Sequence, residues 1–187
     1  MITRLPLLVF LFSDFAVAEI PRAYHLVGAE YGVPAEVFYA VVLQESGKTY
    51  QGRFLPWPWT LNIQGKPFYY ASRGEAERAL RTTIYEQGVT FVGIGLGQIH
   101  WPVHHRYFTS ASEALNPTDN LHYAANLLAA EYLYTIKQGR PDWWIAAGRY
   151  HHPSREDLAA TYRAGVFRRC QNISNRCHVF GQPPESS

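Results

Sequence analysis

The segment between Pro34 and Gly47 restricts the fold more than any other part of the chain. It reads Ala-Glu-Val-Phe-Tyr-Ala-Val-Val-Leu-Gln-Glu-Ser, and from Val37 to Gln44 it carries no charged side chain. Pro34 suits the first turn of a helix and Gly47 can end one, so we predict a helix over 35–46. Because this helix has almost no polar face, it must be buried on most of its sides.

Further helices are predicted around this one from apolar periodicity and from proline, glycine and capping signals. They are expected over 20–31, 73–87, Asn116 to about 138, Asp142 to His151, and from Pro153-Ser154 to about Cys170. The chain is long enough for one domain with a sizeable core, and no linker divides it.

Two other segments interrupt the helical pattern. The β-prone runs 60–63 and 67–70 flank Gln64-Gly65-Lys66 and predict one small hairpin. Alternate glycines in 93–97 predict a tight backbone segment that leads into a short helix. The predicted fold class is therefore mainly α (α+β), a helical domain with one small β-hairpin insertion.

The N-terminal segment predicts an exported protein. Arg4, the apolar run 5–12 and Ala16-Val17-Ala18 are typical of a secretory signal that is cleaved after Ala18. The run is too short for a stable membrane anchor. We assign three regions: 1–18 as signal peptide, 19–180 as one domain and 181–187 as a disordered tail.

Charge and cysteine content exclude some classes of function. The net charge of +2 is too small to indicate nucleic-acid binding. Cys170 and Cys177 are the only cysteines, and in an oxidising compartment two thiols this close favour a disulfide. A metal site there would need two more ligands, and only His178 is near. His100 and His104 lack the glutamate of a metalloprotease motif, so neither a metal nor a cofactor is expected.

Glu45 lies at the end of the predicted buried helix. Burial and the negative end of the helix dipole both favour its neutral, protonated form. A carboxyl group that keeps its proton near neutral pH can act as the general acid that cleaves a glycosidic bond. The alternative is a surface glutamate in the last helical turn.

Three short segments, taken in order, carry the strongest functional signal. They are Gln44-Glu45-Ser46-Gly47, Gly95-Leu96-Gly97-Gln98-Ile99 and Ala147-Gly148-Arg149-Tyr150-His151. Together they resemble the soluble lytic transglycosylase family, lysozyme-like enzymes that cleave peptidoglycan. That family has a Glu-Ser pair, a Gly-Leu-x-Gln segment and a later Ala-rich helix that ends in tyrosine. The resemblance covers about 20–165 and implies a lysozyme-like helical domain, the SLT domain.

The stretch Trp57-Pro58-Trp59-Thr60-Leu61-Asn62 lengthens the spacing between the first two segments. It is similar to the branch associated with conjugation and type IV secretion, in which a small enzyme opens the wall for an envelope-spanning channel. The implied location is the periplasm. The implied partners are peptidoglycan glycan strands and conjugation or secretion-channel proteins, without nucleic acid.

The resemblance makes Glu45 the catalytic acid and base. It implies protonation of the oxygen between N-acetylmuramic acid and N-acetylglucosamine, followed by internal attack of the muramic 6-hydroxyl to give a 1,6-anhydro product. Substrate-binding roles follow for Ser46 beside Glu45, for Gln98, and for Tyr150 as the residue that orients Glu45. Their structural alternatives are a helix cap for Ser46, a capping amide for Gln98 and a core tyrosine for Tyr150.

Two positions depart from the family pattern. Methionine is common where this chain has Gly97, and asparagine is common where it has His151, which could still donate a hydrogen bond to a sugar or acetamide. Trp101, just after the Gln98 segment, is expected to line the groove. Trp143 and Trp144 are expected to pack in the core.

The spacing of acidic residues favours transglycosylation over hydrolysis. An ordinary glycosidase needs two carboxylates that flank the bond. After Glu45, no acidic residue occurs before Glu75. Glu113 or Asp119 could still fold back, which keeps a lysozyme-type muramidase as an alternative. A third alternative is a non-catalytic, wall-binding subunit of a secretion complex.

Overall fold

The computed structural model describes residues 19–184. The α-helices in this range are α1 (Arg22–Tyr31), α2 (Ala35–Ser46), α3 (Arg73–Arg81), α4 (Trp101–His104), α5 (Ala111–Ala114), α6 (Pro117–Lys137), α7 (Trp143–His151) and α8 (Glu156–Gln171). The strands are β1 (Gly47–Tyr50), β2 (Arg53–Pro56), β3 (Thr60–Ile63), β4 (Lys66–Tyr69), β5 (Val92–Ile94) and β6 (Ile99–His100). The predicted mainly α (α+β) fold class is confirmed. The predicted signal peptide lies outside the described residues.

Helix ends lie close to their predicted positions because proline, glycine and capping residues set them locally. α2 occupies the predicted residues and begins directly after Pro34. α1 ends before Gly32, whose φ of 70° is the left-handed conformation that commonly closes helices. Asn116 caps α6 by accepting a hydrogen bond from Thr118 N–H at 2.9 Å. Asp142 likewise caps α7.

The helix predicted over 73–87 changes its hydrogen bonding part of the way along. Ser72 caps α3 by accepting a hydrogen bond from Glu75 N–H at 3.3 Å. α3 ends at Arg81, and a π-helical turn follows over Thr82–Glu86. The segment closes at Gly88, which has a φ of 67°.

The β structure is larger than the single predicted hairpin. The predicted hairpin is present as β3 and β4, with Ile63 opposite Lys66. β5 and β6 extend it to a four-stranded sheet in the order β4-β3-β5-β6. A second hairpin, β1 and β2, corrects the prediction, and its turn places Gln51 and Gly52 at φ values of 49° and 75°. Glutamine gives no hairpin signal in the sequence, because asparagine, aspartate or glycine usually takes that turn position.

Two apolar clusters hold these elements together. The larger is built on α2, whose residues from Val37 to Leu43 are all at most 4% exposed, and α6, α7 and α8 pack around it. The smaller cluster joins the four-stranded sheet to α3 and α5. Trp144 is fully buried and Trp143 nearly so, which confirms both as core residues. The prediction that α2 is buried on most sides is also confirmed.

The C-terminal segment is attached to the helical core. Cys170 and Cys177 form the predicted disulfide, which joins α8 to a short 3-10 turn over Cys177–Phe180. Beyond it, Gln182 N–H donates to Asp142 Oδ2 at 2.7 Å, so the described part of the predicted tail contacts the start of α7. Residues 185–187 lie outside the described residues.

No single helix between residues 19 and 184 has the length and apolar character needed to cross a membrane. α1 and α2 meet that criterion only when taken together, and the chain bends by 112° between them.

Candidate active site

A cleft of about 460 Å³ lies between the four-stranded sheet and helices α6 and α7. Asn62 and His100 line its sheet side, and Leu127 and Tyr150 line its helical side. Glu45 reaches the same cleft from the end of α2. A larger cavity of about 700 Å³ lies near the start of α7, and none of the predicted site residues lines it. The smaller cleft is therefore the candidate active site.

Glu45 faces inward, as the sequence predicted. Its side chain is only 8% exposed. The Tyr162 O–H donates to Glu45 Oε1 at 2.6 Å, and His151 Nδ1 lies 3.3 Å from the same oxygen. Among the residues from 19 to 184, Oε2 has no hydrogen-bond partner, so this oxygen is available to a bound molecule.

His151 is fixed between Glu45 and Tyr162. Its ring stacks on the Tyr162 ring, with centroids 4.3 Å apart and planes 10° apart. The hydrogen bond with Glu45 raises the pKa of His151 above its usual value, against the opposing effect of burial. The adjacent ring of His152 meets His151 edge-on, and burial lowers the pKa of His152.

Within the described residues, Tyr150 makes no hydrogen bond with Glu45, although the resemblance implies that it orients this side chain. Its O–H instead donates to the Gly97 carbonyl at 2.6 Å. Tyr162 makes the predicted type of contact with Glu45. Burial, together with the negative charge of Glu45, raises the pKa of both tyrosines well above the usual value, so both remain hydrogen-bond donors.

Tyr162 is the main site residue that sequence reasoning missed. In α8 it lies three residues after Ala159 and four before Val166, and all three are buried. That spacing is typical of an ordinary core stripe. The one available signal is that a tyrosine on an apolar helix face needs a partner for its hydroxyl.

Gln98 lines the cleft as predicted, and it is also held by backbone groups. Its side-chain amide donates to the Gly95 carbonyl at 2.9 Å. A Cβ added to Gly93 would approach Gln98 Oε1 to 2.8 Å, so the amide lies directly against the glycine backbone. Gln98 itself has a φ of 49°, a strained conformation for a residue with a side chain.

Asn120, also missed from the sequence, joins the Gly-rich segment to α6. It is fully buried and accepts a hydrogen bond from Gly97 N–H at 2.7 Å. Its amide donates to the Ile94 and Ala114 carbonyls at 2.8 and 2.7 Å. The position of the segment that carries Gln98 therefore depends on one buried side chain.

The packing explains why this chain has glycine at position 97, where the family that its three segments resemble often has methionine. A Cβ on Gly97 would lie 2.6 Å from the Ala124 Cβ and 2.9 Å from the Tyr150 hydroxyl. Both distances are too short for a side chain. Gly97 lets the segment approach α6 and α7 closely.

We expect Gly97→Ala to lower the free energy of unfolding by about 1–3 kcal/mol, because the added methyl group overpacks this contact. Urea denaturation followed by circular dichroism measures the change. Gly74→Ala is the matched control, since its Cβ would meet only Arg78 Nη1 at an ordinary 3.6 Å. Equal stability of the two variants would contradict the packing argument.

Two predicted substrate-binding residues lie away from the cleft. Ser46 is fully buried, and its hydroxyl donates to the Val42 carbonyl at 3.0 Å, one helical turn back. Trp101 packs against the smaller apolar cluster and does not line the cleft. The described structure therefore does not place Ser46 or Trp101 among the residues that line the cleft.

Asn62 is a further cleft residue that the sequence did not single out. It belongs to β3, opposite Pro67 and Gly93 on the neighbouring strands. Within residues 19–184, its Oδ1 is the one buried side-chain oxygen or nitrogen that has no hydrogen-bond partner. Such a group is unusual in a folded protein.

Glu45 is the only acidic side chain among the described residues that line the cleft. Glu113 and Asp119, the alternative second acids, line a separate depression beside Tyr31 and His122. In the described part of the chain, no group of three His, Cys, Asp or Glu side chains is arranged to hold a metal ion.

The functional assignment depends on this geometry and on the resemblance of the three sequence segments. Glu45, Gln98, Tyr150 and His151 lie in one cleft although up to about a hundred residues separate them in the chain. No protein-family model, curated protein or solved structure matches this chain.

Proposed function

We propose that this protein is a peptidoglycan lytic transglycosylase. It cleaves the β-1,4 bond between N-acetylmuramic acid and N-acetylglucosamine and leaves a 1,6-anhydro-muramic end. The observation that carries the proposal is the single carboxylate of the cleft, Glu45, with Oε1 held by Tyr162 and Oε2 open.

Glu45 acts first as an acid and then as a base. Its proton moves to the glycosidic oxygen as the bond between C1 of the muramic residue and that oxygen breaks, and N-acetylglucosamine leaves with a 4-hydroxyl group. The carboxylate then accepts the proton of the muramic 6-hydroxyl while O6 bonds to C1. Glu45 regains the proton that it gave up, so water is not consumed.

The acidic residues of the cleft favour this reaction over hydrolysis. A retaining or inverting glycosidase has two carboxyl groups about 5–10 Å apart, one on each side of the bond. Glu45 has no such partner among the described cleft residues. An internal nucleophile removes the need for a second carboxylate, because the substrate itself supplies the attacking oxygen.

Asn62 and Gln98 provide polar groups on the sheet side of the cleft. Asn62 lines the cleft, and its carboxamide side chain is of the kind that bonds sugar hydroxyl and acetamide groups. The Gln98 amide is fixed by backbone carbonyls, so it can contact a sugar without first losing side-chain freedom. Both residues fit a substrate rich in hydroxyl and acetamide groups.

The biological setting that we propose follows from the sequence features. Export to the periplasm would bring the enzyme to the wall, where local cleavage would open a passage for a conjugation or type IV secretion channel. Fractionation of the producing cells tests the location, since the protein should be recovered with periplasmic markers.

The proposed reaction is tested by digesting purified peptidoglycan sacculi and analysing the products by mass spectrometry. Muropeptides with 1,6-anhydro-muramic ends are expected. Products with reducing ends, each heavier by one water, would indicate a muramidase instead. Unchanged sacculi, with the protein bound to them, would indicate a non-catalytic wall-binding subunit.

Tyr162→Phe is expected to reduce kcat by about 10- to 100-fold. It removes a hydrogen bond to the Glu45 carboxyl group, on which negative charge develops as the proton leaves, and it keeps the ring that stacks on His151. The release of anhydro-muropeptides over time measures the effect. Tyr85→Phe, at an exposed tyrosine, is the control and should retain full activity. A Tyr162→Phe enzyme as active as the wild type would show that this contact does not position Glu45.

A further inference from the structure

Two side chains from different helices converge on one oxygen of Glu45. Tyr162 from α8 donates to Oε1 at 2.6 Å, and His151 Nδ1 at the end of α7 lies 3.3 Å from the same atom. The stacking of the two rings fixes both contacts together. One carboxylate oxygen is thus occupied by protein groups, and Oε2 is left for the substrate.

Among the four histidines of the cleft, His151 differs in its charge. The histidines that line the cleft are His100, His104, His151 and His152. Burial lowers the pKa of the other three, which favours their neutral forms. Only the pKa of His151 is raised, because it lies beside the Glu45 carboxylate.

In the part of the chain that the structure describes, the groups that face His151 do not supply a competing positive charge. Tyr162 is a neutral donor, and His152 favours its neutral form. Beyond His152, Arg155 pairs with Asp157 at 2.8 Å, so its charge is balanced. Glu45 is therefore the dominant partner of the His151 imidazole.

We propose that His151 is a positioning residue that carries a positive charge beside Oε1 of Glu45, so that Oε2 exchanges the proton with the substrate. The proposal rests on the proposed function. When Oε2 gives its proton to the glycosidic oxygen, negative charge develops on the carboxylate. The His151 imidazolium and the Tyr162 hydroxyl stabilise this charge from the opposite oxygen. His151 keeps its own proton throughout.

This role gives a reason for histidine at a position where the resembling family often has asparagine. Asparagine can donate a hydrogen bond, but it cannot add a positive charge. The charge strengthens Glu45 as an acid at the moment of bond cleavage. It also links the reaction to pH, because His151 is charged only below its own raised pKa.

The test is His151→Asn, assayed as kcat/KM against pH on purified sacculi. His151 is charged only below its own raised pKa, so the wild-type enzyme should lose activity as His151 gives up its proton. His151→Asn removes this titration, so the alkaline limb of the profile should move to higher pH. The rate at the optimum should fall about tenfold, because the charge-assisted contact is lost. His178→Asn, at an exposed histidine far from the cleft in sequence, is the control and should leave the profile unchanged.

Titration of His151 by NMR provides a readout that does not depend on activity. The pKa of His151 should be above its usual value in the wild type and should fall in Glu45→Gln, because only the lowering effect of burial then remains. A His151 titration that is identical in the two proteins would overturn the proposal. A His151→Asn enzyme that loses activity with an unshifted pH profile would also overturn it, since that pattern indicates a direct substrate contact.

The two proposals fail in different ways. A wild-type protein that releases no anhydro product overturns the transglycosylase function even if His151 and Glu45 titrate together. An active transglycosylase in which His151 titrates independently of Glu45 overturns only the role of His151.

Discussion

Glu45→Gln is expected to reduce the release of anhydro-muropeptides from sacculi by about 10²–10⁴-fold, the usual contribution of a general acid and base. Glutamine has nearly the same shape and can still accept the Tyr162 O–H, so the site should keep its structure. It has no acidic proton to give to the glycosidic oxygen, and it cannot take one from the 6-hydroxyl. Quantitative mass spectrometry of the soluble products measures the loss.

Glu86→Gln is the matched control for this experiment. It makes the same chemical change at an exposed glutamate outside the cleft, and full activity is expected. Thermal unfolding of both variants should resemble that of the wild type, which separates a catalytic loss from misfolding. A Glu45→Gln protein that cleaves at the wild-type rate would remove the basis of the proposed mechanism.

Asn120→Ala is expected to lower the free energy of unfolding by about 3–5 kcal/mol. The substitution leaves three buried backbone groups without their partner, and each such group costs about 1–3 kcal/mol. The affected groups are Gly97 N–H and the carbonyls of Ile94 and Ala114. Since the same contacts position the segment that carries Gln98, the activity of the folded fraction should also fall.

Urea denaturation compares Asn120→Ala with Asn126→Ala. Both residues lie on α6, but Asn126 is exposed, so its replacement should change stability by no more than about 0.5 kcal/mol. If the two variants unfold at the same urea concentration, the hydrogen bonds of Asn120 do not secure the Gly-rich segment. Assays at a temperature where the variant is folded then measure the separate effect on cleavage.

Features set by local chemistry were predictable from the sequence. Pro34 and Gly32 mark the neighbouring ends of α1 and α2, and the turn at Gly65 joins the predicted strands β3 and β4. These residues act through backbone geometry within a few positions. The hairpin of β1 and β2 was missed for the same reason, because its turn begins with Gln51 in a conformation that glutamine seldom adopts.

In the candidate site, too, some residues could be predicted from local sequence features and others could not. Glu45 could be identified because an acid at the end of an apolar helix is a local anomaly, and Gln98 because three glycines precede it. Ser46 was assigned from the Glu-Ser pair of the resembling family, and Trp101 from its nearness to Gln98 in sequence. In the fold, Ser46 bonds back to Val42 and Trp101 packs against the smaller apolar cluster. Nearness along the chain does not determine the direction of a side chain.

The sequence by itself determined the helical architecture, the buried helix that carries Glu45 in its last turn and the acid that the cleft contains. Only the tertiary structure decided which groups meet that acid. Tyr162 lies 117 positions from Glu45 in the chain yet donates to its carboxylate, while Tyr150, the residue expected there, bonds to Gly97. The physical reason is that the packing of α2, α7 and α8 fixes these contacts. Which side chains meet depends on how each helix is rotated against its neighbours, and this rotation is not a local property of the sequence.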